Sequence, residues 1–187
     1  MKVIVVGNGP TLLDVENGHL IDQFDIVVRF NDYSINRYEK YVGTKTDYWF
    51  NTINYNNKEG QPRLKHTYKK IVWHCWAWDH EKDIGYQSFL KFFQGKNVNF
   101  FKTEKKTIEE LQEYANDKQY FNYSTGLIAI WMLLKEFDSL TITGFDWWKS
   151  GIGHHYNDKA PRGTIHKPEK ELLVIQKLIE ENKVKFL

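Results

Sequence analysis

The sequence predicts an α/β domain whose mostly parallel central sheet is covered by helices on both faces. Two observations lead to it. Short apolar runs of strand character alternate along the chain with longer segments of helical periodicity, and that alternation builds strand-helix-strand units with a buried sheet. No internal repeat or Pro/Ser-rich linker interrupts the 187 residues, of which 41% are apolar and 27% charged. Residues 1–187 are therefore expected to form a single domain.

The first strand is Val3-Ile4-Val5-Val6, ended by Gly7-Asn8-Gly9-Pro10, and the second, over 25–30, is closed by Asn31-Asp32. Further strands are expected at 46–50, 70–74, 98–101, 140–143 and 184–187. Helical patterns occupy 86–93, 108–114, 126–137 and 168–182; in the last, Leu172, Ile175, Leu178 and Ile179 form one apolar stripe. Residues 53–69 are polar and read as a surface excursion. Sheets of this kind bind ligands beyond the carboxyl ends of their strands. That rule brings residues 7–10, Asn31 and the segment after Thr143 to one edge although they are far apart in sequence.

Composition narrows the partners. A net charge of +2 with scattered lysines gives no polyanion-binding run, so no nucleic-acid partner is expected. Aromatic residues make up 16% of the chain, with seven Trp, which suits the walls of a site that stacks bases or sugars as well as a core. Cys75 is the sole cysteine, which rules out an intrachain disulfide and fits a reducing compartment. No apolar run reaches membrane length and the first is too short for a signal sequence, so a soluble, cytoplasmic protein without a transmembrane segment is expected.

Three short stretches carry chemistry. Gly7-Asn8-Gly9-Pro10 follows the first strand, where glycines let a backbone approach a phosphate; a tight turn with no ligand is the alternative. It is not a full dinucleotide fingerprint, because Leu12 stands where the third glycine belongs, and there is no P-loop motif. Ser124-Thr125-Gly126 opens an apolar helix that it can cap, or at whose start it can hold an anion. The third stretch holds His154, His155 and His166. Adjacent histidines in extended backbone point to opposite faces and the spacing matches no metal motif, so no metal site is expected. His166 lies just ahead of Pro168, at the positive end of a helix, where a neutral imidazole suits a general base. Glu171, five positions on, is placed either to orient that ring or to face water.

Taken together, these segments resemble the sialyltransferase family that includes the animal Golgi enzymes. Residues 5–9 through 28–31 to 42–46 look like the family's large motif. Ser124-Thr125-Gly126 through Thr143-Gly144-Phe145 looks like the small motif, His155-Tyr156 like the third, and His166 with Glu171, in H-x-x-x-x-E spacing, like the very small one. All four stand in the family's order.

The resemblance implies a single-domain, Rossmann-like glycosyltransferase of the GT-A type. Such an enzyme moves sialic acid or a related ulosonic acid from a CMP-activated donor to a glycan or glycolipid hydroxyl, inverting the anomeric centre, with no metal and no cofactor beyond the donor. His166 is then the base, helped by Glu171, and His155 the contact to the donor phosphate. Gly7, Asn8, Gly9, Asn31, Ser124, Thr125, Gly126, Gly144, Phe145 and Tyr156 belong to the donor site. The chain has no D-x-D triplet, in keeping with metal independence. It lacks the cysteines that tie the animal motifs together, and an anchor and stem, which favours a cytosolic version. Two other readings stand beside this one: a nucleotide-dependent, diphosphokinase-like enzyme on a similar turn, and a non-catalytic nucleotide- or glycan-binding module.

Overall fold

Seven strands form one sheet among the residues that the computed structural model describes, which are 1–52, 67–74, 87, 90, 91, 94, 99–147, 156 and 166–187. They are β1 (Val3–Val6), β2 (Ile26–Phe30), β3 (Tyr48–Thr52), β4 (Lys70–His74), β5 (Asn99–Lys102), β6 (Leu140–Thr143) and β7 (Val184–Phe186). Their order is β5-β4-β3-β2-β1-β6-β7, and every pairing is parallel. The chain thus builds outward from β1 to β5 on one side and returns to place β6 and β7 on the other. The crossover lies between β1 and β6, the switch point at which such sheets open a crevice at their carboxyl edge.

Alternation within the apolar strands explains why they are apolar throughout. Val3 and Val5 of β1 and Ile26, Val28 and Phe30 of β2 point into the larger core, beneath α3 (Lys105–Ala115), α4 (Thr125–Leu133) and α5 (Pro168–Glu180). Ile4, Val6 and Val27 point to the opposite face. There a 3₁₀ turn (Pro10–Asp14), α1 (Gly18–Ile21) and α2 (Glu39–Val42) supply Leu12, Ile21 and Val42. Both faces are covered, so both sets of side chains are apolar. In α4, residues from Leu127 through Ile130 and again Leu133 are all buried, as in a helix enclosed on every side.

A charged residue is buried in the second face. Arg29 is 1% exposed, and its guanidinium donates from Nε to the Lys45 carbonyl (3.1 Å) and Thr46 Oγ1 (3.0 Å) and from Nη2 to the Val42 carbonyl. It ties the end of α2 and the loop after it to β2. Burial lowers its pKa from the usual arginine value.

The expected elements differ from the observed ones where side chains compete with the backbone. β3 begins at Tyr48 rather than 46, because Asp47 takes the Val27 amide on its carboxylate (2.9 Å) while its own amide donates to the Val27 carbonyl (2.8 Å). α4 stops at Leu133 rather than 137, where the chain tightens and the amides of Lys135 and Glu136 return three residues, to Met132 and Leu133. The 3₁₀ turn, α1 and α2 have four or five residues each, too few for a helical period to show in sequence. The helix expected over 86–93 and most of the polar excursion lie largely outside the described residues.

Candidate active site

At the carboxyl edge beside the switch point, a cleft opens over the turn after β1 (Gly7, Asn8, Gly9), the end of β2 (Phe30, Asn31) and the loop after β6 (Gly144 to Trp147). The start of α4 (Ser124, Thr125, Gly126) and, from the α5 region, His166 and Glu171 complete its wall. No lysine or arginine lines it among the described residues.

Two segments distant in sequence are bound together to form that wall. Lys170 pairs with Asp117, and the Lys167 amide donates to Tyr120 Oη (2.8 Å). The Asn122 carbonyl accepts from Tyr120 Oη (2.8 Å) and lies 2.7 Å from His166 Nδ1. Glu171 accepts from both the amide and the hydroxyl of Ser124, each at 2.6 Å. A carbonyl can only accept, so the His166 contact places the ring hydrogen on Nδ1. In the neutral imidazole, Nε2 is then the basic nitrogen.

Glu171 neither faces water nor hydrogen-bonds the His166 ring, which were the two roles open to it from spacing. It is 3% exposed, and it holds the capping residue of α4, whose Oγ in turn accepts from the Leu127 amide at 3.3 Å. Burial pushes the Glu171 pKa up to about 7, against the lowering effect of the two Ser124 hydrogen bonds. Folding therefore takes up a proton between the usual carboxylate value of 4.5 and about 7. The full contribution is present below that window and is lost as pH rises through it. A shift of this size corresponds to about 3 kcal/mol. Glu171→Gln removes the titration while keeping an oxygen for the Ser124 amide. Thermal melts from pH 5 to 8 should show wild-type stability falling across the window and a flat profile for the variant; parallel profiles would place the effect elsewhere.

The glycines of the first turn serve close packing. A Cβ on Gly7 would lie 2.3 Å from the Gly144 carbonyl oxygen, and one on Gly9 2.7 Å from the same atom. The Gly7 and Gly9 amides donate to the carbonyls of Thr143 (2.8 Å) and Gly144 (2.9 Å). These two N–H groups are spent on the end of β6 and its loop and are not available to a ligand. Gly126 has a parallel reason: its Cβ would meet Phe145 Cε1 at 2.7 Å, so the Phe145 ring lies against the first turn of α4.

Asn8 and Asn31 also shape the cleft. Asn8 Nδ2 donates to the Phe30 carbonyl (3.2 Å). Asn31 turns the chain out of β2 with φ of 42°, which asparagine tolerates better than most residues. Its Oδ1 accepts from the Thr52 amide (3.1 Å), joining β2 to β3.

Tyr156 stands behind this wall rather than on it. Its ring is buried with Ile4, Val6 and Leu12, its hydroxyl bridges the amide and carbonyl of Ser34, and its amide donates to the Asn8 carbonyl at 2.8 Å. A buried phenol with both hydrogen-bonding roles used is a structural strut for the Asn8 turn. His154 and His155 lie outside the described residues. Three lining residues escaped the sequence reading: Phe30, Asp146 and Trp147. Phe145 stacks on Trp147 (5.9 Å, 30°) and meets Phe30 edge-on (5.9 Å, 71°). Trp147 has φ of 47°, a conformation bulky side chains rarely adopt. Continuation of the Gly144-Phe145 turn was the one available signal for Asp146 and Trp147.

Fold and cleft define an α/β protein of Rossmann-like build, with a cleft at the switch point of a parallel sheet. The chain belongs to glycosyltransferase family 29, the sialyltransferase family, whose sequence pattern matches residues 1–123. It is similar to the lactosylceramide alpha-2,3-sialyltransferase of Rattus norvegicus, 28% identical with all of this chain and 56% of that protein covered. It is also similar to the beta-1,6-galactosyltransferase GALT29A of Arabidopsis thaliana, 25% identical over 91% of this chain and 49% of that one. The chain spans about half the length of these curated relatives. A mammalian sialyltransferase crystal structure shares the fold, with a TM-score of 0.71 and 19% identity, covering 100% of this chain and 68% of that one.

The comparisons correct the expected location. The sialyltransferase relatives are Golgi-lumenal, which overturns the cytoplasmic reading. That reading rested on a lone cysteine and missing apolar runs, and neither reports a compartment. No helix among the described residues is long and apolar enough to cross a membrane.

Proposed function

We propose that the protein transfers sialic acid or a related ulosonic acid from a CMP-activated donor to a hydroxyl of a glycan or glycolipid, with inversion and without a metal ion. The observation that carries the reading is His166 on the cleft wall, with Nδ1 bonded to the Asn122 carbonyl at 2.7 Å, which leaves Nε2 as its basic nitrogen. The acceptor oxygen attacks the anomeric carbon as its proton passes to Nε2, and the bond from that carbon to the phosphate oxygen breaks with its electron pair leaving on CMP. Attack from the side opposite the leaving group inverts the centre. The start of α4 offers a positive dipole end to an anionic group. A monophosphate leaving group is stabilised there by amide and hydroxyl donors. His155 keeps its proposed role at the donor phosphate on the strength of the motif and of its neighbour Tyr156, whose amide is bonded to Asn8.

The test is release of CMP from CMP-sialic acid in the presence of candidate glycan and glycolipid acceptors, with and without EDTA. The expected result is acceptor-dependent release at the same rate in both. Release abolished by EDTA would remove metal independence. Binding of ATP with Mg²⁺ in preference to CMP would favour the diphosphokinase-like alternative, and CMP binding without turnover the binding module.

A further inference from the structure

We infer that Tyr120 is a positioning residue for His166, setting the base for proton removal through a single hydroxyl; the inference rests on the function proposed above. Tyr120 is 5% exposed, and its Oη is used twice. It accepts from the Lys167 amide (2.8 Å) and donates to the Asn122 carbonyl (2.8 Å). Lys167 follows His166 directly, and the Asn122 carbonyl is the acceptor for His166 Nδ1 at 2.7 Å. One hydroxyl therefore fixes both the backbone beside the imidazole and the oxygen that orients its ring. Lys167 precedes α5 without a side-chain cap, so the group that holds its amide comes from 47 positions earlier.

Tyr120 is itself held at backbone, ring and hydroxyl. Its carbonyl accepts from Gln112 Nε2 of α3 (3.0 Å), and its amide donates to Asp117 Oδ1 (3.3 Å). Its ring meets Tyr123 edge-on (4.8 Å, 78°), and Lys170 Nζ stands 5.2 Å from the ring centroid. Burial raises the phenol pKa, so the hydroxyl keeps its proton and remains the donor to Asn122. A carbonyl oxygen has two lone pairs, enough for the phenol and the imidazole together. Without the hydroxyl, the Lys167 amide loses its acceptor and the Asn122 carbonyl one of its two donors, and the ring held between them can shift. A base acts only within hydrogen-bond reach of the proton it takes, and a misplacement of about 1 Å costs on the order of a hundredfold in rate. Donor binding does not pass through this hydroxyl, because the start of α4 is held by Glu171 on Ser124. The effect therefore falls on turnover.

The test compares wild type, Tyr120→Phe and Tyr123→Phe. Turnover is measured at saturating CMP-sialic acid, with lactose or the best acceptor of the release assay above as probe, and CMP affinity by calorimetry. Tyr123 is the control, a neighbouring phenol 1% exposed whose hydroxyl makes no hydrogen bond among the described residues. Tyr120→Phe should lower turnover about 10- to 100-fold with CMP affinity unchanged. Tyr123→Phe should change neither. Added to His166→Ala, Tyr120→Phe should lower the residual rate no further, because the ring it positions is gone. Unchanged turnover in Tyr120→Phe, an equal fall in Tyr123→Phe, a loss of CMP affinity by the same factor, or a further equal fall in the His166→Ala background would each overturn the inference and leave the proposed function intact. No transfer by wild type to any of the acceptors would overturn both.

Discussion

Replacing His166 by alanine is expected to lower the turnover of sugar transfer by about a hundred- to ten-thousandfold, the range for a positioned acid-base group. Nucleotide binding should survive. The ring bonds from Nδ1 to the Asn122 carbonyl, and Tyr120 Oη continues to occupy that carbonyl in the variant. The loss of one such bond costs about 1 kcal/mol of stability. The contrast between preserved CMP affinity and collapsed turnover, read from calorimetry and steady-state rates on the same preparation, separates a base from a strut. Full turnover in His166→Ala would remove the histidine from the chemistry.

Gly7→Ala should be the most damaging single-methyl change in the cleft. The added carbon falls 2.3 Å from the Gly144 oxygen and 2.8 Å from its carbonyl carbon, both backbone atoms, and only a separation of the β1 turn from the β6 loop relieves the clash. That separation strains the two amide bonds that join them, Gly7 to Thr143 and Gly9 to Gly144. Overpacking and two weakened hydrogen bonds together are expected to cost about 3 kcal/mol or more. Gly126→Ala makes an informative partner, because its methyl meets the edge of a side chain, Phe145, rather than backbone. It should cost less stability and act on the ligand by displacing the ring that floors the cleft. Urea unfolding and CMP titration of both variants check the pair; equal destabilisation would contradict the distinction.

Much of the fold was legible because period and burial coincide. β1 is a continuous apolar run, β4 has an apolar centre from Ile71 to Trp73, β6 alternates Leu140 and Ile142 with threonines, and the structure reproduces the bounds of all three. The turns after β1 and β6 were legible as glycine punctuation. Their pairing was not: the Gly7, Gly9 and Gly144 backbones meet across some 135 residues, and the sequence favoured a phosphate role over the packing role the geometry assigns. Glu171 shows the same limit. Its spacing from His166 suggested a partner for the ring, yet helix geometry turns it to Ser124, 47 positions earlier, where burial raises its pKa. Tyr156 is assigned to the donor site by the likeness of His155-Tyr156 to the third motif, whereas its ring completes the second core. Asp146 and Trp147 carried no pattern of their own, and the backbone around them turns through two left-handed residues, Gly144 and Trp147.

The most direct measurement of the central claim, that the cleft at the β1–β6 switch point takes a CMP-activated donor, is calorimetric titration of CMP into wild type and Gly126→Ala in EDTA. The account predicts saturable binding to wild type without added metal and a marked loss of affinity in the variant, whose extra methyl pushes on Phe145. Absence of CMP binding to wild type, or unchanged affinity when that ring is displaced, would contradict it.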